Sequence, residues 1–320
     1  MNDVGLMESI FSARARGAHV LLIGDINQLP PVGAGAPLRD MIAAGLPCGE
    51  LREIRRNSGG IVEACAAIRD GQEWGSGDNL ILHEIKKDGD RIRRLFDRLD
   101  AMESVGLNPV WDGQVLVARN KVGDCSRVEL NKLLQRRFNS KPARRGTPFR
   151  LDDKVICLLN GDFRAIADQT DLDNEDTQQN ERGEVRIYNG EIGRIVRLEE
   201  KYFVAKVPSP GRTVIVPFGQ VKESDEDAGS GSSWDLGYAI TVHKSQGSSW
   251  PVVFTMLDDS RVCDRSWLYT AISRAEKQCE LIGPKTLADK MVRKNSIGKR
   301  FTLLRQAILR EQGIREVAEL

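Results

Sequence analysis

The chain has 320 residues, 40 % of them hydrophobic and 29 % charged, with a mean hydropathy of −0.36. That length predicts about two domains, and with no apolar run near the ~18 residues of a membrane span the composition predicts a soluble globular protein. Forty-seven basic against 46 acidic side chains leave a net charge of +1, which excludes a global basic field, so any nucleic-acid site must be local.

Six cysteines without a CxxC pair and three scattered histidines carry no zinc-site pattern, so no metal site is expected and reduced thiols in a cytosol fit best. The N-terminus lacks the basic region and apolar stretch of a signal peptide. The expectation is a cytoplasmic protein with no membrane partner.

In chain order, residues 4–15 read as a short helix. HVLLIG (19–24) is a continuous apolar run ending on Gly-Asp, the pattern of a buried parallel strand, and the loop QLPPVGAG follows. Helices are expected at 36–44, at 59–70 with a stop at Gly71, and at 88–106. Strand VLVAR (115–119) then leads into a helix around 124–138. Strands alternate with helices, so the fold class is α/β with a mainly parallel sheet.

Near residue 147 the texture changes to the short strand-like segments KVICLL, EIGRIVRLE, YFVAKVP and RTVIVPF, which read as a small all-β insert. Within it DQTDLDNEDTQQNE (168–181) carries six carboxylates and almost nothing to bury, which predicts a solvated loop. The acidic, Gly/Ser-rich ESDEDAGSGSS (223–233) reads as a linker. Beyond it α/β texture returns with strands VVFTML (252–257) and ELIG (280–283), and a helix at 300–311 is expected to cover the sheet with Phe301, Leu303, Leu304 and Ile308.

Three segments carry candidate chemistry. LLIGDINQLPPVGAG (21–35) places Asp25 and Gln28 just beyond the carboxyl end of the expected strand, where open α/β sheets bind ligands. On its residues alone it is equally a rigid turn. YAITVHKSQGSSWPVVF (238–254) gathers hydroxyls, a histidine, a lysine and a glycine-permitted turn before an apolar strand, a loop able to hold phosphates or a nucleic-acid backbone. His243 there also reads as a satisfied histidine of a polar loop. LYTAISRAEKQCELIG (268–283) ends a helix on Arg274, either a solvated cation or an arginine aimed at a transferring phosphoryl group. Arg136, Arg137, Arg144, Arg145 and Arg150 form a basic cluster that suits a DNA backbone or simply water. Trp250 follows the second segment and reads as packing or as a base-stacking platform, whereas Trp111 and Trp267 read as packing.

Taken together, GDINQLPPVGAG resembles motif III, LREIRRN the motif IV region, YAITVHKSQGS motif V and YTAISRA motif VI of superfamily 1 DNA helicases of the RecD/Dda-like branch. The resemblance runs in order over nearly the whole chain. It implies two RecA-like P-loop NTPase-type domains around ATP and Mg2+, a single DNA strand crossing both, and 5′-to-3′ translocation. It further implies an SH3-like β-barrel insert between motifs IV and V. The domains implied are 1–47, the end of a first RecA-like domain; 48–146, the first segment of a second; 147–222, the barrel; 223–233, a linker; and 234–320, the second segment with motifs V and VI.

Residue by residue, the resemblance makes Gln28 the γ-phosphate sensor and brings Arg56 and Arg274 to the same phosphate. Asp25, Gln246 and Gly247 fall near the nucleotide, and Thr241, His243 and Ser245 toward single-stranded DNA. Asn57 stands where the family usually has glutamine, keeping the amide but shortening its reach.

The sequence contains no GxxxxGK[ST] phosphate-cradling loop. The Walker B carboxylates of the family belong about twenty residues before GDINQLP; only Asn2-Asp3 lies near there, and Asn2 cannot bear the charge that holds magnesium. The expectation is the C-terminal portion of a motor, inactive without a P-loop half from elsewhere. Two alternatives stay open: a non-catalytic single-stranded nucleic-acid-binding or assembly module, and the helicase part of a relaxase.

Overall fold

The computed structural model of the chain describes residues 2–51, 59–144, 146–166, 183–208, 211–219, 233–300 and 302–313. Arg56, Asn57, Arg145, Phe301, the acidic tract 168–181 and residues 223–232 of the expected linker lie outside the described residues.

The elements are, in order, α1 (Val4–Ala13), α2 (Pro37–Ala43), α3 (Gly59–Arg69), β1 (Leu80–His83), α4 (Asp88–Ser104), β2 (Gly113–Val117) and α5 (Arg127–Phe138). A run of strands follows: β3 (Lys154–Cys157), β4 (Gly161–Arg164), β5 (Glu184–Ile187), β6 (Ile192–Leu198), β7 (Tyr202–Val207), β8 (Arg212–Pro217), β9 (Trp234–Leu236), β10 (Ala239–Thr241) and β11 (Trp250–Met256). The chain then passes through α6 (Arg265–Ile272), β12 (Ala275–Ile282), α7 (Lys285–Arg293) and α8 (Leu304–Glu311). No described helix is long and apolar enough to cross a membrane.

Five strands in the order β1-β12-β11-β2-β10 form a parallel sheet, so the α/β expectation holds. Successive residues of one strand serve opposite faces: Val115 and Val117 join a core with Leu95 and Leu99 of α4 and Leu130 and Leu134 of α5, whereas Leu116 joins Ile61, Cys65 and Ile68 of α3 and Trp267 and Leu268 of α6. Helices on both faces are why the strands read as near-continuous apolar runs.

Local signals set the helix starts. Ser126 and Glu129 have the spacing of a capping box ahead of α5, with the Ser126 hydroxyl accepting from Glu129 N at 3.4 Å. Asp264 caps α6 through Trp267 N at 2.9 Å. Asp3, considered as a Walker B remnant, instead caps α1, accepting from Leu6 N at 2.8 Å.

Between β2 and β10 the chain leaves to build an antiparallel sheet, order β8-β7-β6-β3-β9, and the ribbon β4-β5. A polar stripe on α5 binds both ends of this insert. Arg127, Asn131 and Gln135 follow one another at intervals of four, so they share a helix face, Asn139 follows as the C-cap residue, and all four are buried. Arg127 pairs with Asp235 at 2.7 Å. Asn131 exchanges two hydrogen bonds with the backbone of Ala239, at 2.9 and 2.8 Å. Gln135 and Asn139 both donate to the carboxylate of Asp153, at 2.6 and 2.7 Å. Tyr238 Oη and Arg150 N complete its four donors.

Two sequence expectations fail. HVLLIG (19–24) forms no strand, and Leu21 and Ile23 are 83 % and 85 % exposed. Such a run becomes a buried strand only between two others, and among the described residues no strand of the parallel sheet pairs with it. The C-terminal helix does not cover the sheet either. Both sheet faces are already taken, so α8 packs on α2, burying Leu309 and leaving Leu303 exposed.

Lys154 fastens the insert to the parallel sheet from the other side. Fully buried, it donates to the carbonyls of Val110 and Gly113 at 2.6 and 3.1 Å, above the Trp111 ring. Burial lowers its pKa to about 7, and a neutral amine still has two N–H groups for the two carbonyls. The folded chain thus sheds a proton near pH 7 that the unfolded chain keeps until about pH 10.4, so this lysine makes stability rise with pH across that window. Urea unfolding at pH 7.0 and 8.5 is expected to show a slope for the wild type about 1 kcal/mol per pH unit steeper than for Lys154→Met.

Candidate functional site

Three stretches that are remote in sequence meet in a cleft of about 500 Å³ whose lining includes Asp25, Gln28, Leu29, Arg39 and Gln246. Leu29 is the anchor. Its side chain is buried in the core beside α6, its N–H donates to the Thr270 hydroxyl at 2.8 Å, and its carbonyl accepts from the Gln246 amide at 3.1 Å.

Beside that anchor a hydrogen-bonded chain runs from Arg274 and Tyr269 to the cleft residues Gln28 and Asp25. Arg274 donates to Gln28 Oε1 at 2.8 Å, which leaves the Gln28 amide nitrogen to donate to Asp25 Oδ2 at 3.2 Å. Tyr269 Oη donates to the same carboxylate oxygen at 3.0 Å, and the Asp25 Oδ1 accepts from Asn27 N. Burial, followed by the charge of Asp25, raises the pKa of the Tyr269 phenol, so it remains a donor.

Arg274 is held before any ligand arrives. Only 2 % exposed, it donates through Nε to Thr270 O and through its terminal nitrogens to Ser248 O and Gln28, while its own carbonyl accepts from Trp250 N. A guanidinium fixed this way keeps its charge and its orientation. Of the sequence candidates, Asp25, Gln28, Gln246 and Arg274 therefore come together; Arg56 lies outside the described residues.

The loop after β10 divides the remaining candidates. Thr241 is buried, and Ser245 is fully buried with its hydroxyl donating to Val242 O at 2.8 Å, so both shape the turn. His243 is half-buried, and burial lowers its pKa, which keeps the imidazole neutral. Gly247 is exposed with φ +88°, a left-handed conformation that glycine adopts freely. Trp250 is buried and packs. In the basic cluster, Arg137 pairs with Asp100 and Arg144 reaches Leu198 O. Among the described residues no group of three His, Cys, Asp or Glu side chains is placed to hold a metal.

Sequence reasoning missed Tyr269 and Thr270. Thr270 lies four residues before Arg274, whose Nε donates to the Thr270 carbonyl, and that spacing was the available signal. Thr270→Val leaves the buried Leu29 N–H without an acceptor; a loss of about 1–3 kcal/mol in urea unfolding is expected, against less than about 0.5 kcal/mol for an exposed control such as Val105→Thr.

Comparison with known proteins follows the same division. The model of the UvrD-like helicase C-terminal domain matches residues 236–282, the stretch that holds Gln246, Tyr269, Thr270 and Arg274. The model of an AAA domain matches residues 1–92, which hold Asp25 and Gln28. The ATP-dependent RecD2 DNA helicase of Deinococcus radiodurans is 32 % identical over 282 residues, covering 84 % of this chain and 33 % of that protein. The RecBCD enzyme subunit RecD of Mycobacterium tuberculosis is 25 % identical over 311 residues, covering 88 % of this chain and 48 % of that subunit. The chain thus spans between a third and about half of these relatives. Among solved structures, the Pif1 helicase from Bacteroides in complex with ADP-AlF3 and ssDNA aligns with 91 % of this chain and 66 % of its own, at a TM-score of 0.46 and 16 % identity. One family match thus covers the stretch with Asp25 and Gln28 and the other the stretch with Gln246 and Arg274, and along most of its length the chain is similar to superfamily 1 helicases of the RecD-like branch.

Proposed function

We propose that this chain is the C-terminal portion of an ATP-dependent 5′-to-3′ DNA helicase, a single-stranded DNA translocase, and that it hydrolyses ATP only with a P-loop half supplied by another stretch of polypeptide. The observation that carries this reading is the 2.8 Å hydrogen bond from Arg274 to Gln28, which joins side chains 246 residues apart and brings the guanidinium to a residue of the cleft wall. In this reading residues 1–47 end the first RecA-like domain, 48–146 and 234–320 form the second, 147–222 form an SH3-like barrel, and 223–233 link it back.

The donors in the cleft suit one side of a triphosphate. Gln28 would sense the terminal phosphate, Arg274 and Arg56 would stabilise its charge, and Asp25, Gln246 and Gly247 would border the nucleotide. Bound ATP with Mg2+ would supply the phosphoryl group and neutralise its charge. The glycine-rich cradle and the magnesium carboxylates must come from the other half, because this sequence contains no GxxxxGK[ST]. The exposed apolar residues Leu21 and Ile23, on the segment leading to Asp25, give that half a place to pack.

Single-stranded DNA is the proposed partner. His243 would meet it as a neutral hydrogen-bonding group, with Thr241 and Ser245 setting the loop, and binding would not depend on base sequence. The missing phosphate cradle favours one further reading, a nucleotide-independent single-strand-binding or assembly module.

Joining the chain to a P-loop half separates the two. ATPase activity stimulated by oligothymidylate is expected only from the joined protein, and Arg274→Lys, which retains charge and bulk, is expected to reduce its turnover about 10³-fold, as loss of an arginine finger does. Joined protein that binds DNA without hydrolysing ATP would support the module instead.

A further inference from the structure

We propose that the corner of the insert made by Leu159, Asn160, Tyr188 and Asn189 is a contact surface for single-stranded nucleic acid, with the Tyr188 ring stacking on a base. The proposal extends the reading that a single strand passes over the loop 241–247, and rests on it.

Tyr188 is the one exposed aromatic side chain among the described residues, at 54 % of its full accessibility. Its direction follows from the strand that leads into it. Along β5, Val185 and Ile187 turn into the core, so Arg186 and Tyr188 turn outward. Arg186 has a partner on the neighbouring strand, Asp162 at 2.8 Å. Tyr188 lies one step past the paired register, and Leu159, on the turn opposite, is the second exposed apolar side chain of the corner.

The same corner is fastened to the loop after β10. Lys244 donates to Asn189 Oδ1 at 2.9 Å and to Leu158 O at 3.2 Å, while Asn189 N donates to Asn160 Oδ1 at 2.7 Å. Gly190, with φ +96°, lets the turn press against that loop: a Cβ there would come within 3.1 Å of Lys244 O. Tyr188 is thus one residue from a side chain that grips the residue next to His243. The α5 stripe holds both ends of the insert, so the ring is presented from a braced element.

An outward aromatic ring contributes little to this core, whereas every nucleobase offers a face to stack on, without sequence preference.

The test is fluorescence anisotropy with a labelled oligothymidylate of about 16 nucleotides, the upper end of a single-domain footprint, and with the same backbone made abasic. Tyr188→Ala is expected to weaken oligothymidylate binding roughly 5- to 150-fold, while Tyr188→Phe and Tyr188→Trp keep the wild-type affinity. Tyr188→Ala should also shrink the preference for thymidine over abasic backbone, with thermal unfolding unchanged because the side chain is exposed. If Tyr188→Ala binds like the wild type while His243→Ala weakens binding, the stacking surface is wrong and the single-strand reading survives. Equal weakening toward both oligonucleotides would overturn stacking. A wild-type chain that binds neither oligonucleotide overturns both.

Discussion

The carboxylate of Asp153 is the tie on which the rest of the structure depends. A chain that leaves a parallel sheet after β2 and re-enters it at β10 must return in register, because a slip of one residue would turn Ala239–Thr241 inside out. Asp153 accepts from Arg150 N, on the turn into the outgoing strand, at Oδ2 and from Tyr238 of the returning segment at Oδ1, and Gln135 and Asn139 add one further donor to each oxygen. Burial raises its pKa even with four donors around it, so the site costs desolvation energy. An apolar plug would avoid that cost, but it would not distinguish one register from the next; directional bonds from Asn131 to both backbone groups of Ala239 do.

From this tie the geometry passes outward to the cleft. Fixing Ala239 fixes β10, and β10 delivers the loop carrying His243, Ser245 and Gln246. Ser245 closes its turn onto Val242, so Gln246 reaches Leu29 from a shaped loop rather than a free one. On β11, which β2 separates from β10, Trp250 N donates to Arg274 O. The side chains that meet in the cleft are therefore set by backbone contacts within the sheet, and a disturbance at the insert has a short route of packed and hydrogen-bonded groups to Arg274.

Much of this was legible in the sequence, for reasons that differ by element. The helix α3 could be read because Ile61, Cys65 and Ile68 repeat at helical spacing, and β2 because burial on both faces leaves an unbroken apolar run. The same logic failed at HVLLIG: the pattern records what a segment is suited to bury against, whereas exposure depends on which neighbours are present. Strands β1, β9 and β10, three or four residues each, are too short to show a period. The site residues were legible as motifs, but their arrangement was not. Nothing in the sequence shows that Arg274 already has protein acceptors for its guanidinium, or that the hydroxyl of Ser245 turns inward.

That arrangement bears on how the proposed motor would work. A side chain waiting to meet a phosphate in water would have to be ordered at the moment of reaction, and the entropy of an arginine would count against the barrier. Here Arg274 is ordered beforehand by backbone carbonyls, and its bond to Gln28 reaches a residue of the cleft wall. Charge-assisted hydrogen bonds to neutral acceptors are worth about 1.5–3 kcal/mol, so exchanging this one for a phosphate oxygen lies well within the energy that nucleotide binding supplies. The Gln246 and Thr270 bonds to Leu29 can meanwhile stay closed as a hinge. On the proposed reading the cleft thus separates a holding contact, made through backbone and buried side chains, from a sensing contact between two side chains, and only the second needs to change when nucleotide arrives.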